Sequence, residues 1–404
     1  MIKCRICKNN LKRILDLGKI SLVGNFRVKN LKEKKYKISL NYCLKCKHVQ
    51  ISELLNPNTL FKNYLWETGI SVSNLKLINE IIKKLKQMNC NRNSKILEIA
   101  CNDCTFLEIL NKKINCQCVG IDPARNLIKK NKSKKITKIN DYFNTSSANK
   151  IYKRYGSFDF IFARNVIAHV KNPVEIFSCV NKLLKKNGVF IIEFPSLLNI
   201  IKFNQYDNIF HEHIGFHSLR SIQDLSKMNN LNLFDAKLID SQGGSFRCFI
   251  SKQSIKKETL NLQKFKKIES KNKLFSKSNL MQFKNRINTH REKMQIFLKK
   301  IKKKNKKISI YGASGKGLAL MQYCNISKEI IDFVFDKSKL KQNRYTPGTN
   351  IKVLNPNKIN LLKPDYLLLL SWNLKKEIIK QEKNYLKNGG KFIIPFPKPH
   401  IIIR

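Results

Sequence analysis

Three of the chain's seven histidines, His211, His213 and His217, fall within seven positions, and Glu212 stands between the first two. Imidazole is the side chain that most readily moves protons near neutral pH. A carboxylate beside it holds a tautomer and raises its basicity. The segment 207–217 therefore reads as an acid–base centre. Two other readings compete: a buried structural network, or a zinc site, since three histidines and a glutamate form a workable donor set.

Cysteine supplies the second chemistry. The chain has twelve and begins Met-Ile-Lys-Cys with no apolar signal region, so the expectation is a reducing cytoplasm where thiols stay free or bind metal. Cys4-x-x-Cys7 and Cys43-x-x-Cys46 each sit in a short turn-like segment, with strand-like residues between them. Two such pairs can offer four thiolates tetrahedrally to one zinc ion. Four protein ligands leave no open position, so this metal belongs to folding and not to catalysis. Cys101-x-x-Cys104 lies in a strand-to-helix turn without a second pair and is not read as a metal site.

The elements that must position these residues follow from hydrophobic patterning. Residues 56–90 look helical, with Leu75, Ile78, Ile81, Ile82 and Leu85 on one face. Apolar runs at 95–100, 118–122, 158–163 and 188–193 then alternate with helical stretches, which predicts βαβ units and a largely parallel sheet. The Lys-rich segment from about 255 to 305 has no Gly or Pro and reads as a long helix or helical pair. A second α/β unit begins at Lys307 and continues through runs at 331–336, 366–371 and 391–395. The fold class is therefore α/β, with expected divisions at 1–55, 56–255, 256–304 and 305–404.

The first strand of the larger unit runs into Ala100-Cys101-Asn102-Asp103-Cys104, and the second closes on Asp122. An acidic residue at that place can accept hydrogen bonds from both hydroxyls of a ribose, and the preceding turn lets backbone approach a nucleotide-like ligand. This suits S-adenosylmethionine or a dinucleotide. Ala100 and Cys104 stand where glycines are expected, and Cys104 is strained if its φ must be positive. In the smaller unit, Gly312-Ala-Ser314-Gly-Lys316-Gly317 follows a strand and opens a helix. It lacks the P-loop spacing, yet its N–H groups and Lys316 could meet a phosphate.

The formal net charge is +53, from 80 Lys and Arg against 27 Asp and Glu. Phosphate neutralisation on RNA is one reading. The lysines are spread along the whole chain, however, and a dedicated nucleic-acid site concentrates them beside stacking aromatics. A Lys/Asn/Ile compositional bias is the plainer account, so nucleic acid is not the expected partner. No apolar run approaches the ~20 residues of a membrane span.

Taken in order, these motifs resemble the sugar C-methyltransferases, enzymes that use S-adenosylmethionine to methylate a carbon of nucleotide-linked keto-deoxysugars. The resemblance runs along nearly the whole chain: Cys4/Cys7/Cys43/Cys46, Leu97-Glu-Ile-Ala-Cys-Asn-Asp103, Gly120-Ile-Asp-Pro123, Ala163-Arg-Asn-Val-Ile-Ala-His169, Ile192-Glu-Phe-Pro195, Phe210-His-Glu-His213, Gly243-Gly-Ser-Phe-Arg247, Tyr311-Gly-Ala-Ser-Gly-Lys-Gly317, Tyr345-Thr-Pro-Gly348 and Ser371-Trp-Asn373. It implies a zinc-bearing N-terminal lobe, a central class I methyltransferase domain, and a C-terminal Rossmann-like domain that helps hold a sugar nucleotide. It also implies methylation next to the ketone, by default at the 3-position of a 4-keto sugar.

The family's Tyr-His-Glu-His tetrad is Phe210-His211-Glu212-His213 here. The resemblance implies His213 as base or proton relay, assisted by Glu212 and His211. Phe210 cannot donate the tyrosine's hydrogen bond, and Tyr64 is the candidate substitute. His169 is either a supporting group or a satisfied core residue. The expected cofactor residues are Glu98, Ala100, Asn102, Asp122, Asp141 and Asn165, and the expected substrate residues are Arg247, Ser314, Lys316 and Arg344. Two alternatives stand beside this reading: an RNA methyltransferase, although Ala163-Arg-Asn-Val lacks an Asn-Pro-Pro-Tyr-like loop, and a sugar-nucleotide binder that has lost methyl transfer.

Overall fold

A computed structural model describes residues 3–29, 33–62 and 64–403. Among these residues the fold is mixed α/β, with three sheets. The N-terminal strands Leu11–Ser21, Lys35–Cys43 and Val49–Ile51 form an antiparallel meander. Its fourth strand comes from far along the chain: Gly215–Phe216 pairs with Val49 and Gln50. The backbone immediately after His213 is therefore sewn onto the cysteine-bearing lobe.

The central sheet has seven strands, in the order Leu231–Ile239, Ser245–Lys252, Leu184–Pro195, Phe158–Arg164, Lys95–Ile99, Gln117–Ile121, Ile136–Ile139. The last five are parallel, and the first two form an antiparallel hairpin at the edge. The parallel strands read as continuous apolar runs because helices cover both faces. The hairpin and Ile136–Ile139 were not among the expected strands. The chain leaves Lys95–Ile99 first toward one edge and then toward the other, so the crevice beyond the strand ends there is the topological switch point where such sheets bind ligands. The C-terminal sheet repeats this plan with Val353–Leu354, Val334–Phe335, Ile308–Tyr311, Tyr366–Leu369 and Lys391–Ile394 in parallel, and His400–Ile402 antiparallel at the edge.

The Lys-rich linker is a helical pair, Leu260–Lys271 and Lys277–Lys302. It is not a solvated spacer. Leu280, Phe283, Ile287, Met294 and Leu298 of the longer helix enter one apolar core with Leu40 of the N-terminal lobe and Leu320 of the C-terminal lobe. Region 56–90 is less helical than its patterning predicts: a short helix Pro57–Phe61, a 3-10 turn Thr68–Ile70, then Val72–Gln87. Residues 64–68 run as a strap over the switch point, where Trp66 and Thr68 bond to the Asn102 side chain. No helix among the described residues is long and apolar enough to cross a membrane. The carboxyl ends of both parallel sheets open into one cavity of about 1690 Å³, lined by all three lobes.

Candidate active site

The side of the cavity expected to take the cofactor is built on the turn after Lys95–Ile99. Ala100, Asn102 and Cys104 have φ of +55°, +56° and +60°, so the glycine-like turn is made from residues that carry a Cβ. The Asp122 carboxylate closes this turn, accepting from Asn102 N at 2.8 Å and from Ala124 N at 2.7 Å. Asp122 lines the cavity with lone pairs to spare for a ribose. Burial holds its carboxyl above the usual range.

Glu98 lies at the cavity floor, where one oxygen takes both Nε (3.0 Å) and Nη2 (2.6 Å) of Arg164. Its other oxygen, and Asn165 Oδ1, are buried without a partner among the described residues, and both residues line the cavity. Two orphaned acceptors beside an acid that can take a diol fit the ammonium and ribose ends of S-adenosylmethionine. Two expected contacts differ in detail. The Asn102 side chain is used by the strap, accepting from Thr68 N and donating to Trp66 O, each at 3.1 Å. Asp141 is exposed and off the cavity wall, which is formed instead by the next side chain, Tyr142.

The acid–base cluster separates on folding. Glu212 and His213 line the cavity together with Phe210. His211 is buried edge-on against Tyr36, with ring centroids 5.7 Å apart, and is not part of the wall. His217 packs against His48 at 4.8 Å, also away from it. The strand that starts at Gly215 docks on the N-terminal sheet and carries His217 with it. Only His213 of the three histidines therefore meets the cavity.

His213 Nδ1 lies 2.8 Å from Asn208 O. A carbonyl only accepts, so Nδ1 carries the proton and Nε2 is left with its lone pair. Burial, His169 and Lys316 hold this imidazole well below its usual pKa of 6.5, hence neutral. His169, buried and lowered to about 4, stands edge-on to it at 4.9 Å. Tyr64 O–H donates to Glu212 Oε2 at 3.0 Å, and burial raises the Glu212 carboxyl to about 7. The strap delivers Tyr64: Asn126 accepts from Tyr64 N at 3.1 Å and donates to Tyr64 O at 2.8 Å.

The C-terminal lobe forms the opposite wall. Ser314 caps the helix Gly315–Tyr323. Lys316 is almost fully buried, donates to Gln242 O at 2.9 Å, and lies 3.9 Å from Asp207 and 5.0 Å from the Trp372 ring. Trp372 Nε1 donates to the same Asp207 carboxylate at 2.8 Å. Arg344 also lines this wall. Arg247 does not: its buried guanidinium is committed to Glu193 at 2.6 Å. Its place on the antiparallel hairpin, inside the sheet, explains why it stays out of reach.

The four cysteine sulfurs converge, all within 4.8 Å of one another, with Cys4–Cys46 at 3.5 Å and Cys7–Cys43 at 3.3 Å. Ligands about 2.3 Å from a tetrahedral zinc stand about 3.8 Å apart, so the set fits one zinc ion. Among the described residues these four form the one such donor group. Arg5, between the first two, went unremarked in the sequence. It donates to Ile51 O at 2.6 Å and to Ile214 O, next to His213.

Three family models match successive parts of the chain. Residues 4–61 match the family described as "Putative zinc binding domain", 73–235 match "Methyltransferase domain", and 240–397 match "C-methyltransferase C-terminal domain". The chain is 27% identical over 406 residues to C-methyltransferase NovU of Streptomyces niveus, covering 99% of this chain and 96% of that protein. Among solved structures it is similar to a magnesium protoporphyrin IX methyltransferase from Synechocystis with bound S-adenosylhomocysteine (12% identity, TM-score 0.36, 45% of this chain and 84% of that one). It is also similar to an S-adenosylmethionine-dependent methyltransferase from Anabaena variabilis (15% identity, TM-score 0.36, 50% and 100%).

Proposed function

We propose, from the premise that this chain belongs with the S-adenosylmethionine-dependent C-methyltransferases, that its acceptor is a carbon next to the ketone of a nucleotide-diphosphate keto-deoxysugar. The default is C3 of a 4-keto sugar. The observation that carries this reading is His213: a neutral imidazole in the cavity whose Nδ1 proton is tied to Asn208 O, so that Nε2 is free to accept a proton. A C–H next to a ketone is acidic only because its enolate is delocalised, so the reaction needs a base at the carbon and a donor at the oxygen. When bound, the cofactor supplies an electron-deficient methyl group.

The chain's own residues do the rest. Asp122, Glu98 and Asn165 hold and orient the cofactor. His213 Nε2 takes the proton. Tyr64 supplies the O–H that Phe210 lacks, held at rest by the Glu212 carboxylate, and turns it toward the developing oxyanion. Lys316 adds a nearby buried charge of the right sign. Ser314, Lys316 and Arg344 line the wall where the diphosphate is expected. The strap and the C-terminal lobe keep water from the carbanion. The test is transfer of labelled methyl from S-adenosylmethionine to thymidine- and uridine-diphosphate 4-keto-6-deoxyglucose, with His213→Gln as control. Label reaching carbon in the native enzyme alone supports the reading. Transfer by His213→Gln at the native rate, or to RNA in preference to either sugar nucleotide, contradicts it.

A further inference from the structure

Four charged side chains stand in a row across the central sheet. Glu98, Arg164, Glu193 and Arg247 come from four adjacent strands: Lys95–Ile99, Phe158–Arg164, Leu184–Pro195 and Ser245–Lys252. Arg164 is level with Glu193, and Glu193 with Arg247. Glu98 is level with Phe162, two residues before Arg164. Side chains repeat on one face with period 2, so all four share a face and their signs alternate along it.

The two outer links are hydrogen bonds. One Glu98 oxygen takes Nε and Nη2 of Arg164, and Glu193 Oε1 accepts from Arg247 Nε at 2.6 Å. The inner link is an attraction between charges: burial alone would lower the Arg164 guanidinium, yet Glu98 and Glu193 together hold it above its usual range. Arg164 thus answers to two carboxylates. Glu98, Glu193 and Arg247 are 1%, 4% and 2% exposed. An unpaired charge is costly in so dry a place, so a loss at one end of the row is felt at the other. Without Arg247, Glu193 would draw Arg164 across and strip Glu98 of its hydrogen bonds. Glu98, Arg164 and Glu193 line the cavity, whereas Arg247 stands behind them and donates to Leu77 O at 3.4 Å. The free oxygen of Glu98 is the orphaned acceptor on the cavity floor.

We propose that Arg247 is a positioning residue for the cofactor: by neutralising Glu193 it leaves Arg164 to Glu98, which fixes one Glu98 oxygen and presents the other to the cofactor's ammonium. Arg247 touches neither cofactor nor acceptor and acts through Glu193 and Arg164. This rests on the reading above that Glu98 meets the cofactor, and adds what holds Glu98 ready.

The experiment is calorimetric titration of the zinc-loaded full chain with S-adenosylhomocysteine at pH values on both sides of 7. Burial raises the Glu98 carboxyl to about 7 against the pull of Arg164, and Asp103 and Asp122 add to the rise. With the buried Cys101 thiol, these are the charged and titratable groups that face Glu98 among the described residues. An ammonium favours the carboxylate over the acid. Native affinity should therefore fall as pH drops through about 7, and Glu98→Gln should bind weakly and lack that limb. Arg247→Met should move the limb up by about one pH unit, as Arg164 is drawn away. Glu193→Gln should move it down, because both guanidinium groups then act on Glu98 alone. The double variant Glu193→Gln/Arg247→Met removes a balanced pair, which buried sites tolerate, and should return the limb close to its native place. A merely structural Arg247 would not send the limb in opposite directions. Where Arg247→Met fails to fold, the downward move in Glu193→Gln and the restored limb in the double variant still test the link. A limb that stays in place in the single variants that fold, or that is displaced further in the double variant, overturns the inference and leaves the Glu98 reading standing. No limb in the native enzyme, or one that survives in Glu98→Gln, overturns both.

Discussion

At the scale of residues, the account turns on protonation. His213 is held neutral well below pH 6.5, while Glu212 titrates near 7 and accepts from Tyr64 as a carboxylate. The sign follows: the phenol must leave Glu212 to meet the oxyanion, and protonating Glu212 weakens the charge-assisted bond that holds it, so native kcat/KM should rise as pH drops through about 7. Glu212→Gln offers a neutral acceptor at every pH and cannot titrate, so it should lack that limb near pH 7. An unmoved limb in that variant, from a pH–rate profile, contradicts the assignment. His213→Gln should lower kcat by at least ~10²-fold, the range for a lost general base.

The cofactor turn gives a stability prediction at the same scale. Ala100 holds φ +55° with a Cβ, a conformation that costs roughly 1–2 kcal/mol without glycine. Ala100→Gly should therefore be stabilising or neutral by up to ~1 kcal/mol in denaturant titration, since glycine returns part of the gain as unfolded-state entropy, and Ala100→Val should be clearly destabilising. The sequence made this turn legible, because the residues that replace glycine are visible there. It did not reveal that His211 and His217 turn away. That depends on a two-residue strand pairing with the distant N-terminal sheet, which no local pattern signals.

At the scale of elements, what positions the site is supplied by distant parts of the same chain. The helix Val72–Gln87 has no cap from its own Ser71 side chain. Glu377 of the C-terminal lobe takes that place, accepting from Ser73 Oγ at 2.7 Å and Ser73 N at 3.2 Å. Glu377→Ala should cost about 1 kcal/mol, as for a lost N-cap, and speed amide exchange in the first turn of that helix. Unchanged exchange there contradicts the latch. The zinc lobe acts likewise through Arg5, which grips Ile214 O beside His213. Removing zinc with a chelator should loosen amides 209–217 and abolish methyl transfer, although among the described residues no cysteine lines the cavity. Activity that survives complete zinc removal contradicts that coupling. The four cysteines could be paired from spacing alone, whereas Arg5 and Glu377 act across hundreds of positions and leave no signal in the chain.

At the scale of the whole molecule, two α/β sheets open onto one cavity, and a shared core of N-terminal strands, long helix and C-terminal lobe sets their distance. Strand patterning predicted both parallel-rich sheets, and the acid closing the second strand pointed to the turn proposed here to hold the cofactor. Arg247 was misplaced because the edge hairpin that buries it alternates too weakly to be recognised as strand.

The central claim is that this cavity removes a proton from carbon. The most direct measurement is exchange of the hydrogens flanking the ketone of thymidine- and uridine-diphosphate 4-keto-6-deoxyglucose with deuterated solvent, followed by NMR with S-adenosylhomocysteine bound. The native enzyme should exchange one carbon-bound hydrogen of at least one of these substrates, and His213→Gln should exchange none while binding S-adenosylhomocysteine as tightly. Exchange by His213→Gln at the native rate, or no exchange by the native enzyme with either substrate, contradicts the account.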